Sequence, residues 1–173
     1  CKPVVVTDAG FRGPWFRQVL EMGWDYVGRV RHQTMYRTTE SDWLYCRDLH
    51  AKATGKPRVL HHVTLARGNP LSTSLVLYKN SSKERHSMNR DGQPRRCKVS
   101  LNAANSAKEP WVLATSLPME TSAQVSGIVK RYRARMQIEE SFRDLKSERF
   151  GLGLNMHNTH AIKRLKVLIL IGT

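Results

Sequence analysis

The sequence has no long hydrophobic run, and none of its apolar stretches approaches the ~18 residues of a membrane-spanning helix. The most apolar segment, residues 165–171, is too short to cross a bilayer and is typical of a buried core helix. No charged segment followed by an apolar one opens the chain, so no signal peptide is predicted. We therefore expect no association with a membrane.

Cysteine is also scarce. The three cysteines, at positions 1, 46 and 97, are odd in number and far apart, and the chain has no C-x-x-C pair. This spacing excludes a disulfide framework. Cys46 and His50, four residues apart, could form half of a zinc site, but no second pair of ligands follows at a suitable spacing. We expect reduced thiols, as in the cytoplasm.

Acidic residues are outnumbered: 14 Asp and Glu face 29 Lys and Arg, which gives a formal net charge of +15. The repulsion between so many positive charges destabilises a compact fold unless a polyanion is present, and nucleic acid is the usual polyanion. An anionic membrane surface and a merely basic protein are the alternatives. Residues 79–98 hold seven of the basic residues beside two acids, and they predict an exposed basic loop.

The order of predicted elements indicates an α/β fold. Residues 2–7 read as a buried strand, Pro14 suits the first turn of a helix that Gly23 ends, and residues 24–30 read as a second strand. Residues 32–118 are rich in short β-prone runs separated by Gly, Pro, Asn and Ser. These runs are residues 43–46, 59–65, 74–78, 98–101 and 111–115.

A long helix is predicted from a cap at Thr121 or Ser122 to about Lys146, and a last helix begins near His160. At 100° per residue, four polar positions of the long helix fall within about 60° of one another. They are Tyr132, Arg135, Glu139 and Lys146. The adjoining face is apolar, and we expect it to pack and to hold the polar stripe beside a groove. It consists of Ile138, Phe142 and Leu145. The alternative is a solvated face with ordinary ion pairs.

Asp8 follows the first strand at its carboxyl end, where open α/β sheets place their sites. A turn residue or helix cap is the alternative for a lone aspartate. An aspartate there, facing Glu139 in a basic protein, suggests metal-assisted phosphodiester chemistry. Oxygen ligands suit Mg²⁺, and paired metal ions activate a nucleophile and stabilise a leaving oxygen.

The long helix reads Y-R-A-R-M-Q-I-E-E-S-F-R-D-L-K, with tyrosine, arginine, glutamate and lysine at fixed gaps. It resembles the signature of a large group of insertion-sequence DDE transposases. The opening V-V-V-T-D-A-G-F-R-G-P-W-F resembles that group's second catalytic aspartate block, and E-P-W-V-L-A-T-S-L-P resembles the segment before the helix. The resemblance covers essentially the whole chain.

The resemblance implies a ribonuclease-H-like catalytic core with a β-rich insertion subdomain. The core would comprise residues 1–31 and 119–173 and would be incomplete at both ends. The insertion would be residues 32–118, with the exposed basic loop at about residues 79–98.

The resemblance also implies the site. Asp8 matches the second catalytic aspartate and Glu139 the glutamate, together ligating Mg²⁺ or Mn²⁺. Trp111 matches a tryptophan that stacks on a flipped base, although strand-core packing is the alternative. The remaining matches are to DNA contacts, with phosphates near the transposon end or with the end itself. These residues are Tyr132, Arg135, Lys146 and Arg29.

The activity so implied is cut-and-paste transposition, in which water attacks at the transposon end and the freed 3′ hydroxyl then acts as nucleophile. Partners would be the terminal repeats and target DNA, with a homodimer in a synaptic complex, in the bacterial cytoplasm and on the nucleoid when bound to DNA. The family's first aspartate would precede Cys1, so we expect the isolated chain neither to nick nor to join DNA. A non-catalytic basic DNA-binding remnant and a nuclease of the same fold are the alternatives.

Overall fold

The computed structural model describes residues 2–31, 33–39, 41–80 and 109–146, and at residues 136, 139, 140 and 142–146 it describes the backbone alone. The chain divides into two compact units, Cys1–Tyr132 and Arg133–Thr173. All the described strands lie in the first unit. Most of the predicted basic loop, the predicted strand at residues 98–101 and the predicted helix near His160 lie outside the described residues.

The described elements form a mixed α/β structure, as predicted. Both predicted helices of this part are confirmed, and so are the predicted strands, with ends that differ by one to three residues except in the last strand. A three-residue strand and a 3-10 helix were not predicted. In chain order the elements are β1 (Val4–Thr7), α1 (Gly13–Glu21), β2 (Asp25–Val30), β3 (Met35–Arg37), β4 (Leu44–Tyr45), the 3-10 helix (Cys46–Lys52), β5 (Arg58–Leu65), β6 (Leu71–Tyr78), β7 (Trp111–Thr115) and α2 (Ser122–Lys146).

The seven strands form one sheet in the order β1-β2-β7-β6-β5-β3-β4. Strands β1 and β2 are parallel, as the helical crossover between them requires, and every other pair is antiparallel. Strand β7 lies directly beside β2 and pairs Leu113 with Arg29. The segment just before α2 is thereby held against the strand that follows α1.

Helix α1 ends in a glycine cap and packs closely on β2. Gly23 has a φ of 74°, and the N–H groups of Gly23 and Trp24 donate to the carbonyls of Leu20 and Val19, which is a Schellman ending. The ring of Phe16, on α1, packs directly against Gly28 of β2, so closely that a Cβ added at Gly28 would clash with the ring. Only glycine permits this approach, which places the start of α1 near the carboxyl ends of β1 and β2.

Helix α2 begins with a capping box. Thr121 Oγ1 accepts from the Gln124 N–H at 3.3 Å, and the Gln124 side-chain oxygen accepts from the Thr121 N–H at 3.0 Å. The predicted cap at Thr121 is therefore confirmed. Two donors that a helix start leaves without intrahelical partners are satisfied in this way.

The sheet is covered on both faces. Phe16 and Val19 of α1 and Leu49 of the 3-10 helix belong to the core on one face. On the other face α2 contributes a buried row, spaced as one helical face. The row consists of Val125, Ile128, Val129 and Tyr132.

The expectation that Ile138 belongs to the packed face of the long helix is wrong, because its side chain is 58% exposed. The buried row of α2 lies nearer the helix start, where the helix covers Leu113 and Val76 of the sheet. Spacing along the helix identified an apolar strip without showing which part of the helix contacts the sheet.

Candidate functional site

Asp8 stands immediately after β1 and is exposed, at the edge where the parallel strands β1 and β2 both end. Its Oδ1 accepts from the Gly10 N–H at 3.0 Å, which turns the carboxylate toward the loop leading into α1. The preceding Thr7 is 5% exposed, and its hydroxyl has no hydrogen-bond partner among the described residues. Asp8 thus offers an accessible carboxylate oxygen next to a buried hydroxyl.

Arg29 lies on β2 with only 11% of its side chain exposed, and its guanidinium is 3.5 Å from Glu109. It also hydrogen-bonds to Tyr132. Burial lowers the pKa of Arg29 from its ordinary value, while Tyr132 and Glu109 act in the opposite direction and the positive charge of Arg31 adds to the lowering. Its Nε finds no acceptor among the described residues, so this cation is incompletely compensated.

Trp111 begins β7 inside an aromatic cluster. Its ring meets Tyr132 edge-on, with centroids 4.8 Å apart, and meets Tyr78 at 5.7 Å. Trp111 is 6% exposed and Tyr132 is 1% exposed. In this structure the ring packs in the core, which was the alternative interpretation of Trp111, and its stacking on a base stays a prediction.

The structure brings together three of the predicted site residues, because Arg29 and Trp111 both contact Tyr132. Helix α2 also carries Arg135, which is half-buried, and the backbone positions of Glu139 and Lys146. Those three residues belong to the second unit. The proximity of Glu139 to Asp8 stays a prediction.

Glu109 was not predicted as a site residue. Its carboxylate comes within reach of Arg29 because β7, which begins two residues later, pairs with β2. The only sequence signal is an acid just before a β-prone run in a chain poor in acids. That signal does not reveal the partner, which lies 80 residues away in sequence.

An open cavity of about 580 Å³ lies between α1, the end of β2 and the turn that joins β5 to β6. We call it the arginine pocket, because four arginines line it: Arg12, Arg29, Arg31 and Arg67. No Asp or Glu occurs among its described lining residues. The rest of the lining includes a buried apolar floor formed by Phe16, Val30, Leu65 and Leu71. The sequence alone did not reveal this pocket, because its arginines are scattered along the chain.

The surroundings of Cys46 disfavour the thiolate form of its side chain. The residue is fully buried, and burial raises the pKa of its thiol to about 12. A metal ligand or nucleophile needs the thiolate, which this environment suppresses. The half zinc site with His50 is therefore not supported.

Within residues 2–31, 33–39, 41–80 and 109–146, no group of three or more His, Cys, Asp or Glu is placed to hold a metal ion. Asp8 has an exposed carboxylate that could contribute one ligand, as Mg²⁺ takes one or two carboxylates together with substrate phosphates. In the same part of the chain, no helix is long and apolar enough to span a membrane.

Comparison with known proteins gives one finding. A family profile described as "Transposase DDE domain" matches residues 1–172, which is nearly the whole chain. No curated protein matches the chain. The profile match includes the aspartate block at the end of β1, the segment of β7 and all of α2.

Proposed function

Because the chain belongs to the family of transposase DDE domains, we propose that it is the catalytic part of a cut-and-paste transposase with a tyrosine-arginine-glutamate-lysine signature. Family membership establishes the coarse activity, which is that of a transposase, an enzyme that binds DNA and uses divalent metal ions. We also propose that its relatives include the transposase of a tetracycline-resistance composite transposon. We further propose a ribonuclease-H-like core, residues 1–31 and 119–173, and a β-rich insertion, residues 32–118.

One observation carries this proposal: helix α2, unbroken from Ser122 to Lys146, holds all four signature positions. Regular helix geometry places residues three, seven and fourteen positions apart on one side of a helix. An irregular segment would have left these positions without a common direction. The helix also follows β7 directly, in the order that the family's motifs predict.

We propose Asp8 and Glu139 as ligands of Mg²⁺ or Mn²⁺. Asp8 fits this role because its carboxylate is exposed at a sheet edge beside the cationic arginine pocket. When bound, the ion would supply activation of the nucleophile and stabilisation of the leaving oxygen. The chain's own residues would bind and orient the DNA strand, and Arg135 and Lys146 would neutralise its phosphates.

Arg29, Tyr132 and Trp111 form a second part of the proposed DNA contact. Arg29 is a cation with 11% of its side chain exposed, and its buried Nε lacks an acceptor among the described residues. A phosphate oxygen would reach that Nε only after neighbouring side chains moved. Its two partners, Glu109 and Tyr132, hold the guanidinium in place before DNA arrives. A base would stack on Trp111 only after the ring of Tyr132 moved away from it.

The experiment compares duplex DNA binding by the chain with and without Ca²⁺, which occupies oxygen sites without promoting the reaction. A transposase core predicts that Ca²⁺ tightens binding and that Asp8→Asn and Glu139→Gln each abolish the tightening. Asp42→Asn, a change at another aspartate that lies outside the proposed site, is the matched control and should keep it. Binding that ignores Ca²⁺ in every variant would instead support the non-catalytic DNA-binding remnant.

The reaction products distinguish a transposase from a nuclease of the same fold. Pre-cut transposon-end DNA and a target plasmid are incubated with Mn²⁺ and the intact transposase that contains this region. A transposase joins the 3′ ends to the plasmid, whereas a nuclease only shortens or nicks the substrates. Nicking without joined products would contradict the proposal.

A further inference from the structure

We propose that the arginine pocket binds an unpaired nucleotide of a DNA strand, with the phosphate at the arginine rim and the base against the apolar floor. This inference rests on the proposed function, because it assumes that DNA is the substrate. It adds a binding site distinct from Asp8, Trp111 and the signature positions of α2.

The rim of the pocket is cationic. The guanidinium of Arg29 is held by Glu109 and Tyr132 on the opposite face of the sheet, so it adds no charge to the rim. The rim cations are Arg12, Arg31 and Arg67, which are exposed. With no carboxylate among the described lining residues, these cations repel one another across the cavity. A phosphodiester is an anion that planar guanidinium groups bind in a bidentate manner, and it would relieve that repulsion.

The floor of the pocket is apolar, which a site for phosphate alone would not need. Phe16, Leu65 and Leu71 are all buried. Phe11 also lines the pocket, and 42% of its surface is exposed while its ring rests on Trp15 at a centroid distance of 4.6 Å. Aromatic side chains beside a cationic groove are typical of sites that bind single-stranded nucleic acid.

The walls are fixed by contacts within the described residues. Arg17 of α1 donates to the carbonyls of Asn69, at 3.1 Å, and Pro70, and these bonds tie the β5–β6 turn to the helix. In the same turn Ala66 has a φ of 62°, and its N–H donates to the Met35 carbonyl at 2.8 Å. The pocket therefore exists before any ligand binds, which lowers the entropy cost of binding.

The location of the pocket suits a DNA strand that also reaches the proposed metal ligand Asp8. Ala9, the neighbour of Asp8, lines the cavity. A nucleotide held in the pocket would place the adjoining phosphate of the same strand near the end of β1. The size of the cavity, about 580 Å³, is in the range of pockets that enclose small organic ligands.

The test measures the affinity of the chain for a fluorescent oligothymidylate by anisotropy, over a series of salt concentrations. The Arg12→Ala/Arg67→Ala double variant should bind about tenfold more weakly, and its salt dependence should be shallower by about 0.7 for each phosphate that the variant no longer neutralises. Arg58→Ala, a change at an exposed arginine of β5 outside the pocket, is the matched control and should bind within about twofold of the unaltered chain.

A second variant separates the base from the phosphate. Phe11→Ala should weaken binding of oligothymidylate about fivefold to tenfold and leave binding of an abasic oligonucleotide of equal length unchanged. Equal losses for both oligonucleotides would overturn the nucleotide assignment and leave a site for phosphate alone. Thermal unfolding of each variant verifies that the fold is retained.

The results also show whether the pocket proposal fails alone or together with the proposed function. If the double variant binds oligothymidylate as tightly as Arg58→Ala does while all variants bind duplex DNA, the pocket proposal is wrong and the transposase proposal stands. If the unaltered chain binds neither form of DNA, both are overturned.

Discussion

The ring of Tyr132, on α2, meets the ring of Trp111, on β7, edge to face, with an interplanar angle of 70°. Both residues are nearly inaccessible to solvent, and Tyr132 also hydrogen-bonds to Arg29 on β2. Tyr132 therefore joins the long helix to two neighbouring strands of the sheet. Three residues proposed to contact DNA are in this way also part of the core, and each should affect stability as well as binding.

The first prediction concerns the burial of Trp111. Replacing it with Ala should lower the free energy of unfolding by about 3–5 kcal/mol, because the change leaves a cavity between β7 and α2. Urea unfolding followed by circular dichroism measures the loss. Trp24→Ala is the matched control at a tryptophan that is 38% exposed, and it should cost about 1 kcal/mol or less. Equal losses at the two positions would contradict the packing described.

The second prediction concerns the pair of Arg29 and Glu109. In the free chain Glu109 competes with DNA for the Arg29 guanidinium, so Glu109→Gln should tighten DNA binding about twofold to tenfold, whereas Arg29→Gln should weaken it. Both variants should lose about 1–3 kcal/mol of stability, because each leaves a partly buried group less well compensated. Fluorescence anisotropy with duplex DNA measures the two affinities. Changes of affinity in the same direction would argue against a DNA contact by Arg29.

The third prediction concerns the hydrogen-bonded core of the sheet. The Tyr26 hydroxyl donates to Thr73 Oγ1 at 2.7 Å, and the Thr73 hydroxyl donates in turn to the Thr115 carbonyl at 3.0 Å. Tyr26→Phe should cost about 1 kcal/mol of stability, because it removes one buried hydrogen bond. Tyr45→Phe, at a tyrosine that is 41% exposed, should leave the unfolding midpoint unchanged. A Tyr26→Phe variant as stable as the parent would show that the hydroxyl contributes nothing.

The fourth prediction concerns pH. Burial raises the pKa of the Cys46 thiol to about 12, whereas an unfolded chain releases this proton near pH 9. Ionisation between these values favours the unfolded state, so stability should be intact below about pH 9 and fall as the pH rises toward 12. Urea unfolding at a series of pH values measures the fall.

The same fall should be shallower in Cys46→Ala, which carries no titrating thiol at that position. Burial also raises the pKa values of Tyr26 and Tyr36, so part of the alkaline loss will persist in this variant. Identical pH profiles for the parent and the variant would contradict the burial of the thiol.

The local elements could be predicted from the sequence because their signals are local. The β-branched run of β1, the glycine that caps α1 and the capping box at Thr121 each act within a few residues. The run at residues 111–115 could be predicted with the ends that β7 has, since Pro110 precedes it and Ser116 and Pro118 follow. Asp8 could be placed at the end of a strand for the same reason.

The contacts between distant segments could not be predicted in this way. Glu109 reaches Arg29 only because β7 inserts between β2 and β6, and no local preference determines that order. The arginine pocket likewise assembles Arg12, Arg31 and Arg67 from three separate loops and strand ends. Helical spacing identified Ile138 as apolar but could not show that α2 contacts the sheet through residues nearer its start.

We propose that Asp8 and Glu139 bind one divalent ion together, and metal-directed cleavage of the chain tests this proposal most directly. Fe²⁺ replaces Mg²⁺ at oxygen sites, and in the presence of ascorbate and peroxide it cleaves the backbone close to its ligands. We expect cleavage near both residue 8 and residue 139, identified by mass spectrometry. We also expect Asp8→Asn alone to abolish both cleavages, because the two carboxylates share the ion. Cleavage near residue 139 that persists in Asp8→Asn, or no cleavage near either residue, would contradict the account.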